Sequence, residues 1–142
     1  MIKCTPQDIT TYWEAIKFAY IESRYILDPD IQQFECTQLL CDLMSGKTNV
    51  VMGFHENEIG VIGIYSHNIN NFSHKIQVHI EALYAYKKYP EEKWKSLIEF
   101  FMSLHPRNQY SCITFDTMNP RVVELSSYMG AIKSFEQYKI TL

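Results

Sequence analysis

Apolar positions along the chain switch between two periods. Ile9, Trp13, Ile16 and Tyr20 recur at three- and four-residue spacing, the single stripe of an amphipathic helix. Its start is signalled by Thr5, whose hydroxyl can accept from an orphan backbone N–H. Pro6 fits the first helical position, and Asp8 stands three residues after the cap. A short strand precedes it at the N-terminus. Asp28 and Pro29 repeat the entry chemistry, and a second helix runs through Phe34, Leu39, Leu40 and Leu43 until Ser45, Gly46 and Lys47 end it. The period then drops to two. Residues 49–68, NVVMGFHENEIGVIGIYSHN, hold two β-rich runs around His55, Glu56, Asn57 and Glu58, which predicts a hairpin. IQVHIEALYAY at 76–86 is a third long strand. Helical spacing returns with Trp94, Leu97, Ile98, Phe101 and Leu104, and HPRNQ at 105–109 breaks it. SCITFDT at 111–117 is another strand. Asn119 and Pro120 open a last helix, Gly130 closes it, and FEQYKITL at 135–142 is a final strand.

The predicted order is β-α-α-β-β-β-α-β-α-β. A meander of strands interleaved with helices gives an α+β fold, a mixed and mostly antiparallel sheet with helices on both faces. The 142 residues show no repeat, linker or low-complexity tract and read as one domain, 1–142.

Composition narrows the function classes. Apolar residues make up 46% of the chain and aromatics 14%, enough for a core and far from a disordered composition. The formal charge is −3 with no long basic run, which argues against a nucleic-acid surface. No apolar stretch is long enough for a membrane span, and no basic-then-apolar leader opens the chain. The expectation is a soluble, cytoplasmic protein. Cys4, Cys36, Cys41 and Cys112 have no paired spacing and read as reduced thiols in small core positions. His55, His67, His74, His79 and His105 have no spacing that suits a metal site with them, so no metal is expected.

Three local patterns carry a family resemblance. MIKCTPQDI at the N-terminus, ENEIGVIGIY with Gly60 and Gly63 in the hairpin, and NPRVVELSSYMGA at 119–131 with Asn119, Val122, Val123, Leu125 and Gly130 together resemble the GNAT superfamily of acetyl-CoA-dependent N-acyltransferases. The resemblance spans the whole chain and implies acetyl-CoA as cofactor if the protein is active. It also implies a phosphate-holding loop of pattern Gln/Arg-x-x-Gly-x-Gly/Ala between the third long strand and the next helix. Here that junction reads LYAYKKYPEEKWKSLIEFF, and Tyr89, Glu92 and Trp94 stand at the three defining positions. Glu91 and Glu92 place carboxylates at the helix start, where the dipole would otherwise favour a ligand's phosphate. Lys87, Lys88 and Lys93 supply positive charge, although flexible ammonium groups do not replace close backbone approach. Backbone groups around Tyr84, Ala85 and Tyr86 are the remaining candidates to hold a thioester arm, provided the strand splays from its neighbour.

The proton-handling groups are also altered. Many family members carry a tyrosine one residue after the leucine of the last helix; here Ser126 follows Leu125. Tyr128 lies two residues further, roughly 200° around the helix. Glu81 and His79, placed on one strand face by alternation, are the candidate bases; the alternative is that they line a solvent-facing side of the strand. Two functions follow from the resemblance. One is a GNAT-fold protein whose acyl transfer is weakened or lost and which serves as a binding or assembly protein, through a protein partner or self-association. Phage-encoded GNAT-like proteins of virion assembly are similar, keeping Asn and Gly-Ala in the last helix without the acid tyrosine; such a protein would sit in the host cytoplasm or the virion. The other is a divergent, active N-acetyltransferase with Glu81 or His79 as base.

Overall fold

The computed structural model describes residues 1–69, 76–86, 89–104, 111–116, 123, 127, 130–132 and 140. Strand β1 (Ile2–Lys3) leads into helices α1 (Pro6–Thr11), α2 (Trp13–Arg24) and α3 (Pro29–Met44). Strands β2 (Thr48–His55), β3 (Glu58–Ile69) and β4 (Ile76–Ala85) follow. A single 3₁₀ turn (Glu91–Lys93) then precedes α4 (Trp94–Ser103) and β5 (Ser111–Phe115). The five strands form one sheet in the order β1-β2-β3-β4-β5, antiparallel throughout except for the parallel β4–β5 pair. The architecture is the predicted α+β one. The predicted final strand lies outside the described residues. Of the last helix only Val123, Ser127 and Gly130 within its predicted body are described: the first two are helical, and Gly130 has φ +80° with its N–H on the Ser127 carbonyl.

The helix starts form as the local chemistry dictates. Thr5 Oγ1 accepts from the Asp8 N–H, and the Asp8 carboxylate accepts from the Thr5 N–H at 2.8 Å and its hydroxyl at 2.7 Å. These bonds hold the Asp8 carboxyl below its usual range. At α3 the Asp28 carboxylate accepts from the N–H groups of Asp30 and Ile31. One predicted helix is divided. The hydroxyls of Thr10 and Thr11 bond back to the carbonyls of Pro6 and Gln7, an arrangement that bends a helix, and the chain breaks at Tyr12 before α2 resumes. Phe34 turns outward, 71% exposed, because it sits roughly 140° around α3 from Leu39 and roughly 180° from Leu43, which are buried. The β2–β3 hairpin turns through Glu56 (φ 52°) and Asn57 (φ 65°), both left-handed, the geometry that matches strand twist in a two-residue turn.

The sheet separates two apolar cores. Ile9, Ile16, Tyr20, Leu39, Leu43, Met52, Ile62 and Ile64 fill the space under α1, α2 and α3. Val51, Val61, Tyr65, Val78, Ile80, Leu97 and Phe101 fill the space under α4. Tyr65 is fully buried there, and its hydroxyl has no hydrogen-bond partner among the described residues. Burial pushes its phenol up to about 12. A desolvated, unpaired hydroxyl costs stability, so Tyr65→Phe is expected to raise the unfolding free energy by about 1 kcal/mol. Thermal denaturation checks this, and a loss of similar size would mean that the hydroxyl has a partner.

Candidate functional site

Strand β4 is paired on both sides only as far as Ile80. Its pairing with β5 runs from Ile76 with Ser111 to Ile80 with Phe115, where β5 ends. On the other side Tyr65 pairs with Ile80 and Ile64 with Ala82, so Glu81 is the extra residue of a bulge. Beyond the bulge β4 continues against β3 alone, and the Tyr86 N–H still reaches the Gly60 carbonyl at 2.9 Å. Alternation in an antiparallel ladder then turns the N–H and C=O of Leu83 and Ala85 away from β3. Among the described residues they face no strand, because β5 ends at Phe115 opposite Ile80. Side chains change face at the same place. Val78 and Ile80 pack towards α4, whereas Ala82, Tyr84 and Tyr86 pack towards α1, α2 and α3.

The two candidate bases sit differently about this bulge. The His79 ring is engaged from β5: Nδ1 lies 2.9 Å from Thr114 Oγ1, and Nε2 lies 3.8 Å from the Asp116 carboxylate. Glu81 is half-buried in the bulge itself, where the alternation that would align it with His79 is interrupted. Its backbone carbonyl accepts from Arg24 Nη1 at 3.2 Å. Burial pushes the Tyr20 phenol up to about 12; the Arg24 guanidinium opposes this, and the Glu35 and Glu81 carboxylates reinforce it. Along the open stretch of β4, Tyr84 meets Phe18 edge-on at 5.3 Å and Tyr86 at 5.1 Å. Burial, then Tyr84, raises the Tyr86 phenol.

The junction into α4 is occupied by the chain itself. The Tyr89 ring lies on the backbone of Gly60, so close that a Cβ there would stand 2.3 Å from Tyr89 Cδ2. Its hydroxyl lies 3.5 Å from the Lys93 carbonyl, and its ring meets Trp94 edge-on at 5.9 Å. Lys93 does not reach over the junction towards β4. Its ammonium donates to the Phe54 carbonyl at 3.3 Å and lies 3.2 Å from His55 Nδ1, at the end of β2. Glu91 and Glu92 belong to the 3₁₀ turn, one turn ahead of α4, and Glu92 is exposed. The N-cap residue of α4, Lys93, makes no side-chain capping bond among the described residues.

Of the residues singled out in the sequence, Glu81, Tyr84, Ala85 and Tyr86 lie together on the free part of β4. His79 is set back in the paired part, and Lys93 is on the hairpin side. Lys87, Lys88, Ser126 and Tyr128 lie outside the described residues. The structure adds Arg24, Leu83, Tyr89, Thr114 and Asp116. Leu83 carried a signal: Ile76, Val78 and Ile80 alternate, and the apolar phase then slips by one to Leu83, as a bulge requires. Arg24 carried none, since its partner Glu81 is far away in sequence; Tyr89 stood out only as a departure from the loop pattern, not as a partner of Gly60.

The strand order and the one parallel pair among the described residues fit the GNAT-like fold that the sequence resemblance implies. No family model and no curated protein matches the chain, so the likeness is one of structure. A predicted acetyltransferase with acetyl-CoA from Clostridium acetobutylicum superposes with a TM-score of 0.69 at 12% identity, over 99% of this chain and 94% of that one. An aminoglycoside acetyltransferase from an uncultured soil metagenomic sample gives 0.69 at 15% identity, over 99% and 96%. A ribosomal-protein-alanine N-acetyltransferase from Brucella melitensis biovar Abortus 2308 gives 0.68 at 12%, over 99% and 98%. Among the described residues no helix is long and apolar enough to cross a membrane.

Proposed function

We propose that this GNAT-fold protein has kept the half of the site that would hold an acyl thioester arm and lost the half that would hold the nucleotide phosphates. Acyl transfer from acetyl-CoA is weakened accordingly, and the protein works by binding a protein partner or a second copy of itself. The observation that carries this reading is Tyr89 lying on Gly60 at the head of α4. Backbone N–H groups bind a phosphate by close approach, and a seated aromatic ring denies that approach. The Lys93 ammonium, spent on Phe54 and His55, offers no substitute. The thioester half fits better, because the outward N–H groups of Leu83 and Ala85 are suited to a carbonyl or amide of an extended arm. Leu27, Ile31 and Phe34, all exposed at the α2–α3 connection and the start of α3, provide apolar surface for a partner. Virion assembly in a phage is the setting that the sequence resemblance implies for such a protein.

Calorimetric titration with acetyl-CoA and with S-acetylpantetheine, which lacks the nucleotide, tests this directly. The two are expected to bind within about threefold of each other, and failure of both would overturn the retained thioester half. Acetyl-CoA binding about a hundredfold more tightly, near 2.7 kcal/mol, would overturn it. That result belongs to the second reading, a divergent but active N-acetyltransferase. Its supporting observation is Glu81, a half-buried carboxylate at the head of the open edge, where a base for an amine acceptor would stand.

A further inference from the structure

We propose that Arg24 is a positioning residue: its guanidinium fixes the bulge at which β4 leaves β5, and with it the open edge at Leu83 and Ala85 and the place of Glu81. The functional part of the inference rests on the reading of that edge as the surviving thioester half of the site.

Every residue of β4 has a register partner on β3 except Glu81. Pairing with β5 has already ended at Ile80. Among the described residues Glu81 thus has no register partner in either ladder, and its carbonyl accepts from a donor elsewhere, in an exposed bond. Arg24 supplies it from the last residue of α2, at 3.2 Å, across 57 positions of sequence. The guanidinium is itself held. It lies over the Tyr20 ring, 5.2 Å from the centroid. Tyr20 is 5% exposed, and its hydroxyl donates to Glu35 Oε2 at 3.3 Å. One chain of contacts thus runs from α3 through α2 to the bulge: Glu35, Tyr20, Arg24, then the Glu81 carbonyl.

This arrangement has a consequence for register. An extra residue in one strand is not located by the ladder alone, since a slip of one position keeps most backbone bonds while exchanging the faces of the side chains it passes. At this bulge, such a slip would move Glu81 or Ala82 to the opposite face and redirect the outward N–H groups. A planar guanidinium can stack on Tyr20 and donate in its own plane at once; an ammonium can donate but stacks poorly.

The test compares wild type, Arg24→Ala and Arg24→Lys. Amide hydrogen exchange is measured without ligand, and amide shifts are followed by NMR during titration with S-acetylpantetheine. In Arg24→Ala the amides of Ala82 and Tyr84, which bond to β3 beside the bulge, are expected to exchange at least about tenfold faster, with β2 unchanged. Affinity for S-acetylpantetheine should fall at least about tenfold, with Arg24→Lys intermediate. Unchanged exchange at Ala82 and Tyr84 would overturn the proposal. So would uniform acceleration through β2 and β3, which marks general destabilisation. If wild type shows no shifts with S-acetylpantetheine while the local exchange effect is present, the thioester reading falls and the positioning of the bulge by Arg24 stands.

Discussion

Truncating Phe101 to Ala is expected to lower the unfolding free energy by about 3–5 kcal/mol. Phe101 is 1% exposed, and its ring stands edge-on to Tyr65 at 5.4 Å and to Phe100 at 5.6 Å. Its ring reaches the sheet, close enough that a Cβ on Gly63 would meet its Cζ at 3.3 Å. Removing the ring leaves a cavity between a rigid sheet and one ten-residue helix, and the walls cannot close it without unseating α4. Against a total of about 5–15 kcal/mol for an ordinary domain, that loss is large. The denaturant midpoint measures it, and Phe101→Leu, which keeps much of the volume, should cost less than about 1.5 kcal/mol. An Ala variant as mild as the Leu variant would mean that α4 is not packed on Val61, Tyr65 and Val78 as described.

The second large effect concerns Gly60. Its φ is not in the left-handed region, so the need for glycine is one of space: a methyl group would meet Tyr89 Cδ2 at 2.3 Å and Cε2 at 2.9 Å. Gly60→Ala is expected to cost about 1–3 kcal/mol, the range for overfilling a packed site. The diagnostic measurement is the same substitution in a Tyr89→Ala background. There the added methyl group has room, and most of its cost should vanish, giving a coupling energy of about 1 kcal/mol or more. An equal cost in both backgrounds would mean that the ring does not rest on Gly60, and the main support for a filled phosphate site would go with it.

These two experiments bear on different levels of the same junction. Phe101 seats α4 on the sheet, and the head of α4 is where a GNAT fold would present backbone N–H groups to phosphate. Tyr89 decides whether that head is accessible. The proposed filling of the junction and the proposed open edge of β4 therefore rest on separate residues, 89–93 for the first and 83–85 for the second. Comparing acetyl-CoA with S-acetylpantetheine separates them chemically.

Much of the fold was legible in the sequence wherever the deciding interaction is local. The capping bonds of Thr5 with Asp8 and of Asp28 with Asp30 and Ile31 join residues two or three positions apart, so residue type and spacing carry the whole signal. The hairpin turn at Glu56 and Asn57 and the helical stripe from Trp94 to Phe101 are of the same kind. The break at Tyr12 is local too, since the Thr10 and Thr11 hydroxyls reach carbonyls only four residues back, but the apolar stripe running through it hid it. Two things were decided only by tertiary structure. The bulge at Glu81 is an irregularity of the pairing with β3, and the donor its carbonyl accepts from stands on α2, 57 positions away. Tyr89 on Gly60 and Lys93 on Phe54 join residues 29 and 39 positions apart, through contacts that cost nothing in local propensity and leave no periodic trace. Local hydrogen bonds and periodicity settled which elements form; which groups of those elements stay free for a ligand was settled by long-range contacts, because only the folded chain brings their competitors within reach.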